Sequence, residues 1–196
     1  MIVRKATIER TTRETQIEIT LSLDGNGELT GQTSIGFFDH MLTALTKHAG
    51  FDMTLVCQGD LHIDDHHTVE DVGICLGQAF VKALGNKTGI SRFGHSYVPL
   101  DEALARAVVD ISGRSHLAFH ADFSRSRIGS FSTEMVREFF KAFVDHACIT
   151  MHLDLLAGVN AHHQVEALFK ATARALRDAV SFDERIKGIP STKGSL

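Results

Sequence analysis

The apolar patterning predicts an α/β fold, an α+β sandwich of two duplicated halves, each a small sheet covered by two helices. Three observations carry this expectation. Stretches that alternate at period two recur between stretches of period near 3.6. The order of these stretches in residues 1–86 returns in residues 87–183, and one five-residue motif occurs once in each half.

In the first half, residues 16–23 set Ile17, Ile19, Leu21 and Leu23 on one face and predict a strand. Asp24-Gly25-Asn26-Gly27 then offers a hairpin turn into a second strand at 28–34, so a strand pair is expected here. Phe38, Met41, Leu42, Leu45 and Ala49 recur at helical spacing, and residues 53–57 read as a strand. Val69, Val72, Leu76, Ala79, Phe80 and Ala83 form a second helical stripe, stopped by Gly85-Asn86. The second half repeats the series. Ala103, Ala105, Ala107, Val109 and Ile111 alternate, Ser112-Gly113 turns, and 117–123 gives another strand. Met135, Val136, Phe139, Phe140 and Phe143 predict a helix, 149–153 a strand, and Val165, Leu168, Phe169, Thr172, Leu176 and Ala179 a long final helix. A polar tail, residues 184–196, contains Pro190-Ser191-Thr192-Lys193-Gly194.

Composition narrows the function classes. With 196 residues, 43% hydrophobic and 22% charged, the chain is an ordinary globular protein long enough to bury a core. A net charge of -4 gives no positive field to draw nucleic acid. No apolar run reaches the length of a membrane span, and residues 1–10 carry charges where a signal peptide needs an apolar segment, so a cytoplasmic location is expected. Cys57, Cys75 and Cys148 form no CxxC pair and read as small core residues. Histidine is the outlier, with 12 residues beside one Tyr and no Trp, and it is the commonest metal ligand.

The motif is HHxxE. It is read in His66-His67-Thr68-Val69-Glu70 and again, with every position offset by the same 96 residues, in His162-His163-Gln164-Val165-Glu166. Chance from composition gives roughly 0.04 such matches in a chain of this make-up. Each copy follows a strand and a polar loop and opens a helix, which marks an internal duplication. Positions i and i+4 share a helix face, so His66 with Glu70, and His162 with Glu166, can reach one cation together. The adjacent His67 and His163 lie about 100° around the axis and point towards a second ion or another chain. Two copies suggest two metal centres, each sharing ligands from both motifs. Imidazole and carboxylate without thiolate fit Mn, Fe, Ni or Zn with open positions rather than a closed structural zinc site. His40 and Glu138 hold corresponding places on the first helix of each half and are candidate further ligands. His48, His62 and His152 are candidates for supporting or structural roles.

These residues resemble the imidazoleglycerol-phosphate dehydratase family over essentially the whole chain. The resemblance rests on Arg10-Thr11-Thr12 with Glu14-Thr15, Phe38-Asp39-His40-Met41-Leu42, the run from His62 to Asp71, Gly89-Ile90-Ser91-Arg92-Phe93-Gly94, Ser112-Gly113-Arg114, the run from His162 to Ala171, and the Pro190 to Gly194 tail. It implies a fold like ribosomal protein S5 domain 2, a homo-oligomer of 24 subunits, and two Mn²⁺ per subunit at subunit boundaries. The family's metal ligands fall on His40, His66, His67, Glu70, His162, His163 and Glu166, with the eighth on Glu138, where members carry either His or Glu. The implied substrate contacts are Glu14, His40, His48, Arg92, Arg114, Lys170, Ser191 and Lys193, the cationic ones suited to a phosphate dianion. Glu14 takes the role of base, and Glu70 and Glu166 join it as catalytic carboxylates.

The implied reaction dehydrates D-erythro-imidazoleglycerol phosphate to imidazoleacetol phosphate in histidine biosynthesis. It must expel hydroxide beside the ring and take a proton from the next carbon, and metal ions on the ring nitrogens would ease the first while a carboxylate does the second. Two other classes stay open on the residues alone: a metallohydrolase or metal-storage shell using the same pairs, and a nucleic-acid module suggested only by the S5-like fold. A storage shell has no use for an anion-binding tail, and neither a net basic charge nor a stacking-aromatic pattern supports the nucleic-acid module.

Overall fold

The computed structural model describes residues 4–196; the first three residues of the charged amino-terminal stretch lie outside the described residues. In the first half the elements are β1 (Lys5–Thr11), β2 (Thr15–Ser22), β3 (Leu29–Gln32), α1 (Gly36–Ala49), β4 (Asp52–Gly59) and α2 (His66–Leu84). In the second they are β5 (Phe93–Leu100), β6 (Ala103–Asp110), β7 (His116–His120), a short insert β8 (Arg127–Ile128) and β9 (Phe131–Ser132), α3 (Met135–Ala147), β10 (Thr150–Ala157) and α4 (Ala161–Val180).

Both sheets have the same order, β1-β2-β4-β3 and β5-β6-β10-β7. In each, a hairpin supplies two antiparallel strands, the strand after the first helix joins antiparallel, and the edge strand joins parallel to it. The duplication expected from the motif is therefore a duplication of topology.

The hairpin expected at residues 24–27 is not formed, because β3 pairs in parallel with β4 and β4 lies between it and β2. The cause is Asp52, whose carboxylate accepts the backbone N–H of Asn26 (2.7 Å) and of Glu28 (3.1 Å) and carries the turn past β4. The true hairpins are β1-β2 and β5-β6, and neither β1 nor β5 stood out in the sequence. On β1 only Ala6 is buried. On β5 the inward residues are Gly94 and Ser96, which leave no apolar alternation to read.

α2 packs on β1 and β2, and α4 on β5 and β6. Across the middle, α1 of the first half packs on α4 of the second, and α2 on α3, so the helices of the two halves face each other. Aromatic rings fill this seam: Phe139 stands edge-on to Phe38 (5.3 Å) and stacked on Phe169 (5.2 Å), and Phe80 meets Phe143 (5.6 Å). Each fully buried ring contributes about 1.5–3 kcal/mol by burial. α4 lies unusually close to β5 at Gly94, where a Cβ would come within 1.9 Å of the Ala175 carbonyl oxygen. α1 and α3 both end on a left-handed residue, Gly50 (φ 71°) and Cys148 (φ 52°), whose amides close the last turn. Cys75 lies in the core as expected, but Cys57 and Cys148 are only half-buried. No helix among the described residues is long and apolar enough to cross a membrane.

Candidate metal centre and active site

Each motif helix starts in the same way. The backbone N–H of His66 donates to Asp64 Oδ1 and that of His162 to Asn160 Oδ1, both at 2.9 Å. A short polar side chain two residues before the motif thus satisfies a free amide of the first turn and sets the first histidine at the helix mouth. Asp65 anchors α2 further by accepting the backbone N–H and the hydroxyl of Ser132.

On α4 the expected i,i+4 pair is formed, with His162 Nε2 3.1 Å from Glu166 Oε2. α1 delivers His40 to the same oxygen, at 3.3 Å. The ligand atoms of His40, His162 and Glu166 all lie within 4.8 Å of one another. Two neutral-capable imidazoles and a carboxylate on rigid helices, with no thiolate, fit a divalent ion of the Mn, Fe or Zn kind with positions left open. The other oxygen of Glu166 holds Lys170 Nζ at 2.7 Å. Burial pushes the Glu166 carboxyl up, but Lys170 and His40 outweigh it and hold the group below the usual carboxylate range. The ring of Phe37 stands edge-on to His162 at 5.0 Å and limits its movement.

The first motif is looser. His66 Nε2 is 3.8 Å from Glu70 Oε2, and both side chains are nearly half exposed. Glu138, on α3, turns to Arg137 (3.1 Å), so within this chain it does not join His66 and Glu70 as His40 joins the second motif. Nor do the two motifs share one cluster among the described residues. The second histidines do turn away from the i,i+4 pairs, but each meets carboxylates. His67 has Nδ1 3.0 Å from Asp60 and Nε2 3.7 Å from Glu14. His163 has Nδ1 2.8 Å from Glu102 and Nε2 3.9 Å from Asp101. The hydrogen bond that His67 donates to Asp60 raises the His67 pKa, the one that His163 donates to Glu102 raises the His163 pKa, and His163 in turn lowers Glu102 to about 2.

Glu14 sits in the β1-β2 turn and lines, with Asp60 and His62, a cleft of about 400 Å³. The turn is fixed from below: Thr15 donates to Asp71 Oδ2 (2.5 Å), and Arg10 pairs with Asp71 (2.9 Å). Asp71 follows the motif glutamate, so α2 itself ties down the turn bearing the expected base. His48 and Lys170 line another cavity, of about 520 Å³, with Tyr97 and Arg174. Burial, together with Lys170 and Arg174, lowers the His48 pKa. His152 lies on the outer face of the second sheet beside His116 (6.0 Å), facing away from the helices.

The remaining cationic candidates gather elsewhere. Arg92 grips Asp110 through two nitrogens (2.7 and 3.2 Å) and donates through a third to the Pro190 carbonyl (2.8 Å), so its fork secures the tail that carries Ser191 and Lys193. Ser191 Oγ accepts the Lys193 amide (3.2 Å). Arg114 follows Gly113, which lies against the carboxy-terminal Leu196. This group sits at the far end of α4, where the Arg92 amide donates to Ala179 (2.9 Å). The helix between His162 and Ala179 spans roughly 25 Å at 1.5 Å per residue. The expected metal ligands and most of the expected phosphate contacts are therefore not neighbours within one chain.

Sequence reasoning missed Asp60, Asp71, Asp101 and Glu102. Asp71 stood inside the quoted motif run and was open to notice. Asp60 and Glu102 occupy different places in the two halves, so the repeat gave no signal for them.

The comparisons with known proteins agree with one another. A family model described as imidazoleglycerol-phosphate dehydratase matches residues 33–176. A curated protein of that name from Aminomonas aminovorus is 58% identical over 195 residues, covering 99% of this chain and 100% of its own. One from Pseudomonas paraeruginosa is 54% identical over 197 residues, covering 100% of both chains. The crystal structure of imidazoleglycerol-phosphate dehydratase from Staphylococcus aureus superposes with TM-score 0.83 at 43% identity, covering 91% of this chain and 99% of that one. The enzyme from Pyrococcus furiosus, solved in complex with (S)-C348, also gives 0.83 at 36% identity, covering 96% and 100%.

Proposed function

Since the chain belongs to the imidazoleglycerol-phosphate dehydratase family and is a hydro-lyase, we propose that it dehydrates D-erythro-imidazoleglycerol phosphate to imidazoleacetol phosphate with the help of two Mn²⁺ ions per subunit. The observation that carries the metal dependence is the convergence of His40, His162 and Glu166 from two helices on a common point. His66, His67, Glu70, Glu138 and His163 are the further ligands of this reading. Bound Mn²⁺ would supply Lewis acidity at the imidazole nitrogens of the substrate, easing loss of the ring N–H proton so that the ring's own electrons can expel the hydroxyl.

The chain's own residues do the rest. Glu14 takes the proton from the carbon next to the one that loses hydroxyl, and Thr15, Asp71 and Arg10 keep its turn from drifting. Glu166 divides its two oxygens between the imidazole pair and Lys170, so that the ligand oxygen keeps its orientation. His48 and Lys170 add polar and cationic contacts on the substrate side. Arg92, Arg114, Ser191 and Lys193 bind the phosphate, and Arg92 also holds the tail through the Pro190 carbonyl.

A substrate of this size cannot bridge roughly 25 Å of helix. The separation along α4 therefore supports active sites at subunit boundaries, each completed by the tail of a neighbouring copy in a 24-subunit cytoplasmic assembly. The test is turnover of imidazoleglycerol phosphate by protein stripped with a chelator, with and without added Mn²⁺, followed at the enol of the keto product. Activity that returns only with metal is the expected result. No turnover with any divalent ion, in protein that still binds metal, would overturn the reading. Mass photometry of the same sample checks the assembly.

A further inference from the structure

In both halves the second histidine of the motif is gripped at Nδ1 by a carboxylate: His67 by Asp60, with its two oxygens at 3.0 and 3.2 Å, and His163 by Glu102 at 2.8 Å. We propose that Asp60 and Glu102 are positioning residues that fix the ring and tautomer of His67 and His163, so that each presents an unprotonated Nε2 to a divalent cation. The proposal deepens the metal reading above and rests on it.

An imidazole offers one nitrogen to a metal, and the other, as N–H, needs an acceptor if the ring is not to rotate or ligate from the wrong side. The two acceptors have different origins. Asp60 follows directly on β4, whereas Glu102 stands in the β5-β6 turn, at the place that in the first half is held by Glu14. A contact inherited from the duplication would recur at one position. Here the same nitrogen of the same motif histidine is met from two positions, which points to a requirement on the histidine rather than to a remnant of the repeat. In each half Nε2 also faces a second carboxylate, Glu14 at 3.7 Å or Asp101 at 3.9 Å, so the free nitrogen opens onto a negative setting suited to a cation.

The two residues differ in what else they hold. Glu102 also accepts the amides of Val159 (3.1 Å) and Asn160 (2.7 Å) ahead of α4. The Asp60 side chain has His67 as its hydrogen-bond partner and no other among the described residues. Asp60→Asn is therefore the cleaner variant, and Glu102→Gln keeps an oxygen for the two amides.

The experiment is titration of the stripped full-length protein with Mn²⁺ alone, reading free ion by its electron paramagnetic resonance signal, for wild type, Asp60→Asn, Asp60→Glu and Glu102→Gln. The expected result is an affinity for part of the bound Mn²⁺ weakened about 10- to 100-fold in Asp60→Asn and in Glu102→Gln, with recovery in Asp60→Glu. Wild-type affinity in a folded Asp60→Asn would overturn the positioning role even if Glu102→Gln failed to fold. A wild-type protein that takes up no Mn²⁺ would instead sink the metal reading itself, so the two failures are distinguishable.

Discussion

His40 and Glu166, 126 positions apart in the sequence, meet with Nε2 and Oε2 3.3 Å from each other across the seam between the two halves. Neither half contains this contact alone. α1 and α4 pack because Phe38 and the rings around it fill the seam, and that packing fixes where His40 ends.

Replacing Glu166 by Gln removes the charge on which His40, His162 and Lys170 converge. The expected outcome is a loss of Mn²⁺ affinity at this centre of about 100-fold or more, since a direct ligand matters at least as much as the groups that orient one. Metal content after dialysis checks it, and an unchanged content would remove Glu166 from the ligand set.

Lys193→Ala takes one cation from the tail and leaves Arg92 and Asp110 holding it. A charge-assisted bond to phosphate contributes about 1.5–3 kcal/mol, so KM for the phosphorylated substrate should rise roughly 10- to 100-fold. The value of kcat should change much less. Steady-state kinetics with Mn²⁺ in excess separates the two, and a fall in kcat alone would count against a phosphate-binding tail.

Gly94→Ala would drive a methyl group into the Ala175 carbonyl and towards the Ala179 amide, both backbone atoms that cannot swing aside. Overpacking of this kind costs about 1–3 kcal/mol. Gly36→Ala, where nothing lies within 4 Å, is the control and should leave the thermal midpoint close to wild type. Equal midpoints for both variants would show that α4 and β5 can separate freely.

The Arg4 guanidinium holds the carboxyl of Asp24 below its usual value of 3.8. Arg4 also donates to the Val180 carbonyl, so the pair fastens the end of α4 to β2's exit. For an acid with a depressed pKa, the stabilisation is present in full above the unfolded value and is lost as pH falls through the folded one. The stability gap between wild type and Asp24→Asn should therefore persist at neutral pH and close below about pH 3.8. Denaturant melts at pH 7 and below pH 3 test this, and a gap that widened in acid would contradict it.

Much of this molecule was legible in its sequence. The four helices declared themselves by their apolar stripes, and the HHxxE repeat located the mouths of α2 and α4 where His66 and His162 stand. What was not legible depended on partners far away in the chain. β3 looked like the second arm of a hairpin because its own residues say nothing of β4, and the two-amide grip of Asp52 that diverts it becomes visible only in three dimensions. β5 hid because a helix presses on it, and Gly94 and Ser96 are the small residues such pressure demands. Arg92 read as a cation for phosphate, and its second task, gripping Asp110 and the Pro190 carbonyl, could not be read from the sequence. Asp60 and Glu102 were silent because repeats reveal only what both copies keep.

The matching strand orders carry a consequence for descent. A chain of half this length, paired with a copy of itself through its helices, would have made the α1-α4 and α2-α3 contacts identical and produced two equal clefts. Fusion into one chain released the copies from that equality. His40 in one half and Glu138 in the other, and Asp60 in one half and Glu102 in the other, mark where the two have since diverged.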